Sequence, residues 1–177
     1  MVELRKHNII LIGFMGSGKT SVGKKLAEKM GYVFYDTDTI IEQNQEDTIR
    51  HIFELYGEEY FRELETKLIQ GFSTTMKEVV LSTGGGIPLR QLNRELLSDL
   101  GYVVYLRAST QSTVNRLMKD ETRPLLQGEN LEEKVDRLQK ERAPFYTQTA
   151  NETIDTDNLT PEDLADKILE GYLTFIK

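Results

Sequence analysis

The chain has 177 residues, of which 38% are hydrophobic, and this length is typical of one domain with a proper core. Its 29 acidic residues outnumber its 22 basic residues, and the net charge of −7 argues against nucleic acid as the main partner. With no cysteine the chain has no disulfide or thiolate site, and no apolar run reaches transmembrane length. We expect a cytoplasmic domain without membrane or nucleic-acid partners, whose arginines cluster wherever it binds an anion.

Apolar segments and helical patterns alternate along the chain. The segments that predict strands are 9–12, 32–35, 78–82, 102–106 and 152–156. After a first helical pattern beyond residue 20, the others cover 47–56, 58–75, 88–99, 110–119, 131–147 and 160–175. This alternation predicts an α/β fold, a three-layer α/β/α sandwich with a five-stranded parallel sheet, in one domain of residues 1–177. Ligands of such folds bind at the carboxyl ends of the strands.

The segment Gly13–Thr20, GFMGSGKT, matches the P-loop pattern G-x-x-x-x-G-K-[ST] at every specified position. A strand pattern precedes it and a helical pattern follows, which is the context that the motif requires. Its glycines let backbone N–H groups surround an anion, Lys19 adds a charge near the β- and γ-phosphates, and the Thr20 hydroxyl can bind Mg²⁺. The residues that we expect to bind ATP here are Gly13, Met15, Gly16, Ser17, Gly18, Lys19, Thr20 and Ser21.

Two segments are longer than a minimal alternation of strand and helix requires. Residues 37–75 hold two helical patterns where one crossover would suffice, and we interpret them as a substrate-binding insertion. Residues from about 117 to 130 are polar and contain an Arg-Pro break, which indicates a mobile lid. Within this lid, Arg123 could neutralise charge that develops on a transferred phosphoryl group.

Asp36 and Asp38 follow the second predicted strand. If the strand continues through them, their side chains share one orientation, because side chains alternate with a period of two. Two carboxylates beside a P-loop could support the water shell of Mg²⁺ or contact an acceptor hydroxyl. The alternative is that they cap a helix or lie in a solvated turn.

A glycine turn, Ser82–Gly86, follows the third predicted strand. Its three glycines let the backbone approach a ligand closely, although a flexible turn has the same composition. Ser82 stands where a P-loop protein commonly has a metal-binding acid. On the predicted helix 58–75, Arg62 lies beside the apolar stripe, and Glu65 could fix its guanidinium plane for binding a carboxylate. An ordinary surface ion pair has the same spacing.

Four further arginines lie on or beside predicted helices. Arg116 and Arg142 are candidates for the local positive cluster that an anion site needs, although each alone could be a solvated surface residue. Arg90 and Arg94 lie four residues apart, and we expect both to face water.

Motifs distributed along nearly the whole chain resemble the shikimate kinase family, of the nucleoside-monophosphate-kinase-like P-loop fold. In chain order they are GFMGSGKTSVGKKLA, YDTDTIIE, IFELYGEEYFRELE, LSTGGG, RPLL, ERAPFY and IDT. Their combination is far more specific than the P-loop alone. The resemblance implies transfer of the γ-phosphoryl group of ATP to the 3-hydroxyl of shikimate in aromatic amino-acid biosynthesis, with Mg²⁺ as the cofactor and a monomeric enzyme.

The resemblance also implies a role for each matching residue. The catalytic residues that it implies are Lys19, Asp36, Asp38 and Arg123. Besides the P-loop, the resemblance implies two further ATP-binding residues, Arg116 against the adenine and Arg123 on the phosphates. The metal site that it implies consists of Thr20 and Asp36. The substrate ligands that it implies are Asp38, Arg62, Gly84, Gly85, Gly86 and Arg142, of which the two arginines hold the carboxylate. Pro161 falls near the adenine-side loop.

The residues alone leave other functions open. Another small-molecule kinase of the same fold, such as gluconate kinase, also acts on a hydroxylated carboxylate, but the F-R-x-x-E and G-G-G elements favour shikimate. A non-catalytic nucleotide-binding regulator predicts damage to the P-loop or the acceptor residues, and none is found. Whether Asp38, Asp36 or no protein base removes the hydroxyl proton stays open at this point.

Overall fold

A computed structural model of the chain describes residues 7–72, 74–119 and 130–177. These residues form five strands, β1 Ile9–Ile12, β2 Val33–Asp36, β3 Val79–Ser82, β4 Tyr102–Arg107 and β5 Glu152–Asp155. They also form seven helices, α1 Lys19–Met30, α2 Thr37–Gln45, α3 Ile49–Phe72, α4 Gln91–Leu100, α5 Thr110–Leu117, α6 Leu131–Thr149 and α7 Pro161–Phe175. A short 3₁₀ helix, Ile87–Leu89, precedes α4.

All five strands are parallel and lie in the order β2-β3-β1-β4-β5. The central strand is β1, in which Ile9 pairs with Val80 of β3 on one side and with Tyr102 of β4 on the other. All four β1 residues are buried, as expected for a parallel strand that helices cover on both faces. The predicted α/β/α sandwich with a five-stranded parallel sheet is therefore confirmed. The loop after β1 lies where the connections between strands run to opposite sides of the central strand. Folds of this kind bind ligands at that point.

Two hydrophobic clusters cover the two faces of the sheet. Ile10 and Ile12 belong to one cluster, and Ile9 and Leu11 to the other, because consecutive strand residues point to opposite faces. The first cluster includes residues from helices α4 and α6, and the second includes residues from α1 and α7. Full burial of each large apolar side chain contributes about 1.5–3 kcal/mol, so these clusters fix the helices that carry the polar residues above the sheet.

Helices α2 and α3 occupy the segment that we interpret as an insertion. They enclose a small hydrophobic cluster of their own, formed by Ile41, Ile52 and Phe61. Gly57 interrupts α3 with a φ of 80° and a ψ of 174°, at the point where the sequence predicted a break between two helices. Across the described ranges, no helix is both long and apolar enough to span a membrane.

Candidate active site

The predicted P-loop begins after β1 and ends in the first turn of α1. Gly13, Gly16 and Gly18 have φ angles of 149°, 75° and 93°, which residues with a side chain rarely adopt. At Gly13 the space is also closed, because a Cβ atom would lie 2.5 Å from the carbonyl oxygen of Leu106 and 2.9 Å from Ser17 Oγ. The glycines therefore permit a tight turn that ends at the N–H groups of a helix N-terminus, an arrangement that binds anions.

Lys19 is held within this turn. Its side chain is nearly buried, and its Nζ atom donates to the carbonyl oxygens of Gly13 at 2.8 Å and Phe14 at 2.9 Å. The same atom lies 3.4 Å from Ser17 Oγ. A buried ammonium group requires such hydrogen bonds, and here they place its positive charge inside the loop.

Thr20 and Ser21 are exposed in the first turn of α1, whereas Met15 is partly buried and packs against the core. The Thr20 hydroxyl donates to Oδ2 of Asp36 at 3.1 Å, so the ends of the P-loop and of β2 meet. Hydroxyl and carboxylate oxygens are the ligands that Mg²⁺ prefers. In the part of the chain that the structure describes, no group of three or more His, Cys, Asp or Glu side chains could hold a metal ion by itself.

Asp36 and Asp38 do not lie on one strand. Strand β2 ends at Asp36, whose Oδ1 accepts hydrogen bonds from the backbone N–H groups of Asp38 at 3.1 Å and Thr39 at 3.3 Å. The expectation of a shared strand orientation was therefore wrong, because the capping carboxylate starts α2 at the next residue. Asp36 therefore both caps a helix and lies beside Thr20, and each role uses a different one of its two carboxylate oxygens.

Asp38 lies in the first turn of α2 and reaches the glycine turn after β3. A Cβ atom on Gly84 would lie 2.7 Å from Asp38 Oδ1 and 2.9 Å from Glu65 Oε1, so only glycine fits between these two carboxylates. The Gly84 N–H group donates to the buried Thr37 hydroxyl at 2.8 Å. Helix α2 thus fixes both the turn and an acid beside it.

Arg62 and Glu65 form a buried ion pair. Arg62 Nη1 donates to Glu65 Oε2 at 2.7 Å, and the two side chains are 13% and 1% exposed, which contradicts the surface alternative. Glu58 binds the other edge of the guanidinium group at 3.1 Å. The guanidinium group occupies the space that a Cβ atom on Gly86 would need. Arg62 is therefore fixed in one plane directly against the glycine turn.

Glu65 is the most deeply buried acid of the site. Burial, which the Arg62 guanidinium opposes and the Asp38 carboxylate reinforces, raises the pKa of Glu65 from 4.5 to about 7. One of its oxygens binds Arg62, and the other, Oε1, accepts no hydrogen bond from a described residue. The carboxyl groups of Glu65 and Asp38 therefore lie close to one fixed positive charge, that of Arg62.

Arg142 approaches the glycine turn from α6. Its guanidinium group lies 5.5 Å from the ring centre of Phe14 in the P-loop. The hydroxyl of Tyr146, one turn further along α6, donates to the carbonyl oxygen of Gly85 at 2.6 Å. Burial raises the pKa of Tyr146 and the charges of Arg142 and Arg62 oppose this rise, so two positive charges lie near this turn.

On the opposite flank of the P-loop, Arg116 Nη1 of α5 donates to the Gly16 carbonyl oxygen at 2.9 Å. The pKa of Asp157 after β5 is lowered mainly by the Ser109 hydroxyl, and the charge of Arg116 adds to this lowering. Arg123 and residues 120–129 of the predicted lid lie outside the described residues.

This geometry joins a P-loop to an arginine-lined glycine turn, and comparison with known proteins identifies the family. The shikimate kinase family model matches residues 15–172. The chain belongs to the shikimate kinase family. A shikimate kinase of Thermodesulfovibrio yellowstonii is 46% identical over 165 residues, which are 93% of this chain and 94% of the relative. One of Legionella pneumophila is 41% identical over 170 residues, 96% and 97% of the two chains.

Solved structures agree with this membership. The structure of Acinetobacter baumannii shikimate kinase in complex with shikimate has a TM-score of 0.90 at 44% identity, covering 96% of this chain and 94% of that chain. Deoxyadenosine kinase from M. mycoides has a TM-score of 0.61 at 19% identity over 94% of this chain and 99% of that chain, and this likeness shows the fold alone.

In this member of the shikimate kinase family, two arginines lie elsewhere than expected. Arg90 faces water only in part, since its side chain is 29% exposed, pairs with Glu59 and donates to Thr66 Oγ1 at 3.3 Å, both on α3. Arg94 donates to the carbonyl oxygen of Pro88 at 2.9 Å, and its guanidinium group lies 5.0 Å from the ring centre of Phe145. The expectation was wrong because the start of α4 packs between neighbouring helices, which a four-residue spacing does not reveal.

Sequence reasoning missed two polar contacts of the turn, those of Thr37 and Tyr146. The Tyr146 hydroxyl and the Gly85 carbonyl are separated by 61 residues, so no local pattern connects them. The available signal in the sequence was a tyrosine four residues after a candidate arginine on one predicted helix, since a tyrosine that packs in a core needs a partner for its hydroxyl.

Proposed function

We propose that this chain transfers the γ-phosphoryl group of ATP to the 3-hydroxyl of shikimate, giving ADP and shikimate 3-phosphate. The observation that supports this most is the buried Arg62–Glu65 pair against Gly86, beside a P-loop, in a chain of the shikimate kinase family. A guanidinium group fixed in one plane suits a planar carboxylate, which shikimate carries.

The nucleotide half of the reaction is assigned to the P-loop and its neighbours. The N–H groups from Gly13 to Ser21, with Met15 among them, surround the phosphates, and Lys19 offers its charge to the β- and γ-phosphates. Arg116, which lies against the loop, is assigned to the adenine side. Arg123 is assigned to the transferred phosphoryl group, as the lid prediction implies.

Thr20 and Asp36 fit a magnesium site. Their oxygens lie 3.1 Å apart at the end of the P-loop, and both are hard donors of the kind Mg²⁺ prefers. We assign Thr20 as a direct ligand and Asp36 as a ligand through water. Bound there with ATP, Mg²⁺ neutralises charge on the β- and γ-phosphate oxygens.

The acceptor half of the reaction is assigned to residues around the glycine turn. Arg62 and Arg142 bind the carboxylate, the N–H groups of Gly84, Gly85 and Gly86 approach the ring substituents, and Asp38 accepts hydrogen bonds from hydroxyls near the attacking one. Phosphoryl transfer needs positioning and neutralisation of charge more than covalent help, and these groups supply both. A monomeric state and a cytoplasmic location belong to the same proposal.

The first test is ADP release by the purified protein with Mg·ATP, in parallel with shikimate, gluconate, AMP or no acceptor. We expect strong stimulation by shikimate and none by the other two. Stimulation by gluconate alone would keep the kinase and contradict the substrate. Tight ATP binding without stimulation by any acceptor would instead favour a nucleotide-binding regulator.

A further inference from the structure

The turn that holds Gly85 is fixed by backbone hydrogen bonds on both sides of that residue. The Gly84 carbonyl oxygen accepts from the Ile87 N–H at 3.2 Å, and the Gly86 carbonyl oxygen accepts from the Leu89 N–H at 3.1 Å. The Gly85 carbonyl oxygen between them accepts instead from the Tyr146 hydroxyl at 2.6 Å. A side chain of α6 therefore holds the middle peptide unit of the turn.

That peptide unit has two ends. The Gly85 carbonyl and the Gly86 N–H belong to one planar unit, which is trans because no described peptide bond is cis. In a trans unit these two groups point in opposite directions. Since it lies between two glycines, the unit meets little steric resistance to rotation. The Tyr146 hydroxyl, by holding the oxygen, sets the direction of the Gly86 N–H.

The second arginine of the site lies one helical turn before Tyr146. The Arg142 guanidinium group is 5.5 Å from the ring centre of Phe14 in the P-loop. Its positive charge acts on Tyr146, since it opposes the rise that burial causes in the pKa of this residue. A side chain that holds the glycine turn and a cation of the acceptor site thus lie next to each other on α6.

The position of the Tyr146 hydroxyl oxygen is set by the core. Tyr146 is 0% exposed, and its ring centre lies 5.0 Å from that of Tyr105 in β4. Burial raises the pKa of Tyr146 to about 12, although Arg142 and Arg62 oppose the rise. The phenol therefore remains protonated at neutral pH and keeps its donor.

We propose that Tyr146 is a positioning residue of the acceptor site, whose hydroxyl fixes the direction of the Gly86 N–H group. An acceptor that binds this group then meets it already oriented, so the cost of ordering it is not taken from its binding free energy. This inference rests on the proposed function and adds to it a residue that touches neither substrate.

The test is Tyr146→Phe, which removes one oxygen atom and keeps the ring. We expect the KM for shikimate to rise about fivefold to tenfold, because the Gly85 carbonyl oxygen loses the hydrogen bond that orients the Gly86 N–H group. The KM for ATP should stay within about twofold of the wild-type value, since no P-loop N–H group is affected.

Tyr172→Phe is the matched control. Tyr172 is also buried, lies against a tyrosine of β4 (Tyr102) and hydrogen-bonds another hydroxyl, that of Tyr32 at 3.0 Å, but it belongs to the cluster on the opposite face of the sheet. We expect this variant to leave both KM values unchanged. An equal rise of the shikimate KM in both variants would show a general loss of packing and overturn the proposal.

A double-mutant cycle with Arg142→Gln asks whether the hydroxyl acts on the Gly86 N–H group or through Arg142. We expect the combined effect on the shikimate KM to equal the product of the two single effects, because the hydroxyl holds the backbone and not the arginine. A combined effect clearly smaller than this product, an unchanged KM in Tyr146→Phe, or an equal rise in the ATP KM would each overturn the proposal. Wild-type turnover is measured in the same assay. If the wild type does not respond to shikimate, the proposed function itself is wrong. If the wild type responds and Tyr146→Phe has an unchanged KM, only this inference is wrong.

Discussion

The two halves of the proposed active site are assembled in different ways. The phosphate-binding part of the proposed nucleotide half is one contiguous segment, Gly13–Thr20, whose shape depends on glycine conformations and a helix start. The proposed acceptor half brings together Asp38 of α2, Arg62 of α3 and Arg142 of α6 around the turn Gly84–Gly86. The first is set by local backbone geometry, and the second by how three helices pack on one sheet.

This difference predicts different responses to substitution. In the contiguous half, a single side chain acts directly on the transferred group, so its loss should reduce turnover. In the assembled half, each side chain is held by another, so substitutions should weaken acceptor binding and spare ATP binding. Four substitutions test this contrast.

Lys19→Ala should have the largest effect. It removes the charge that the P-loop holds, and we expect kcat to fall by at least about 100-fold, because neutralisation of the γ-phosphate in the transition state is lost. Lys24→Ala is the control, since Lys24 is exposed on the same helix. The measurement is steady-state turnover, with circular dichroism to verify folding. A near wild-type kcat would remove Lys19 from the mechanism.

Arg62→Ala should raise the KM for shikimate about 100-fold and leave the KM for ATP unchanged, because a charge-assisted contact to the carboxylate is lost. The matched control is Arg50→Ala, which removes an exposed i,i+4 pair with Glu54 from the same helix. Since Arg62→Ala also leaves the buried Glu65 without its partner, the double variant with Glu65→Gln separates binding from stability. An unchanged shikimate KM would contradict the carboxylate role.

Glu65→Gln should alter how stability depends on pH. The folded pKa of about 7 lies above the ordinary 4.5, so the contribution of Glu65 to stability is complete below pH 4.5 and is lost as pH rises through 7. We expect the wild type to lose about 2 to 3 kcal/mol of unfolding free energy relative to the variant between pH 5 and pH 8. Urea titrations at both pH values measure this, and parallel curves would refute the shift.

Gly86→Ala tests the contact of Arg62 with the turn. Gly86 has a φ of −91°, which alanine adopts readily, and the three atoms nearest to the new methyl group all belong to the Arg62 guanidinium group. We expect the KM for shikimate to rise about tenfold as Arg62 is displaced. Gly71→Ala on α3 is the control, because it meets open space, and it should add about 0.5–1 kcal/mol of stability. Equal KM values in both variants would contradict the contact.

The same contrast explains what could be predicted from the sequence. The P-loop was recognisable because one contiguous pattern contains the strand, the turn and the helix start. The central strands β1, β3 and β4 were predicted to within one residue because buried parallel strands are continuous apolar runs. The more exposed edge strands β2 and β5 were predicted equally well from their β-branched and aromatic residues between turn signals. The assembled half was recognised through the family resemblance, since the Arg62 spacing alone fits a surface pair equally well.

The failures have tertiary causes. Arg90 and Arg94 could not be placed because their partners, Glu59 and Phe145, lie on other helices. The orientation of Asp36 and Asp38 depended on where β2 ends, and the capping bond that ends it competes with the continuation of the strand. In each case the deciding contact depends on three-dimensional packing, which the alternation of apolar residues and the spacing of residues in the sequence do not reveal.

Asp36 meets two demands with one carboxylate. Oδ1 caps α2, and Oδ2 accepts from the Thr20 hydroxyl. Asparagine at this position would keep the cap but remove the negative charge, and glutamate would keep the charge but reach past the cap. Either exchange therefore loses one of the two, the cap of α2 or the negative charge beside the P-loop, and aspartate is the side chain that is both short and charged enough to supply both.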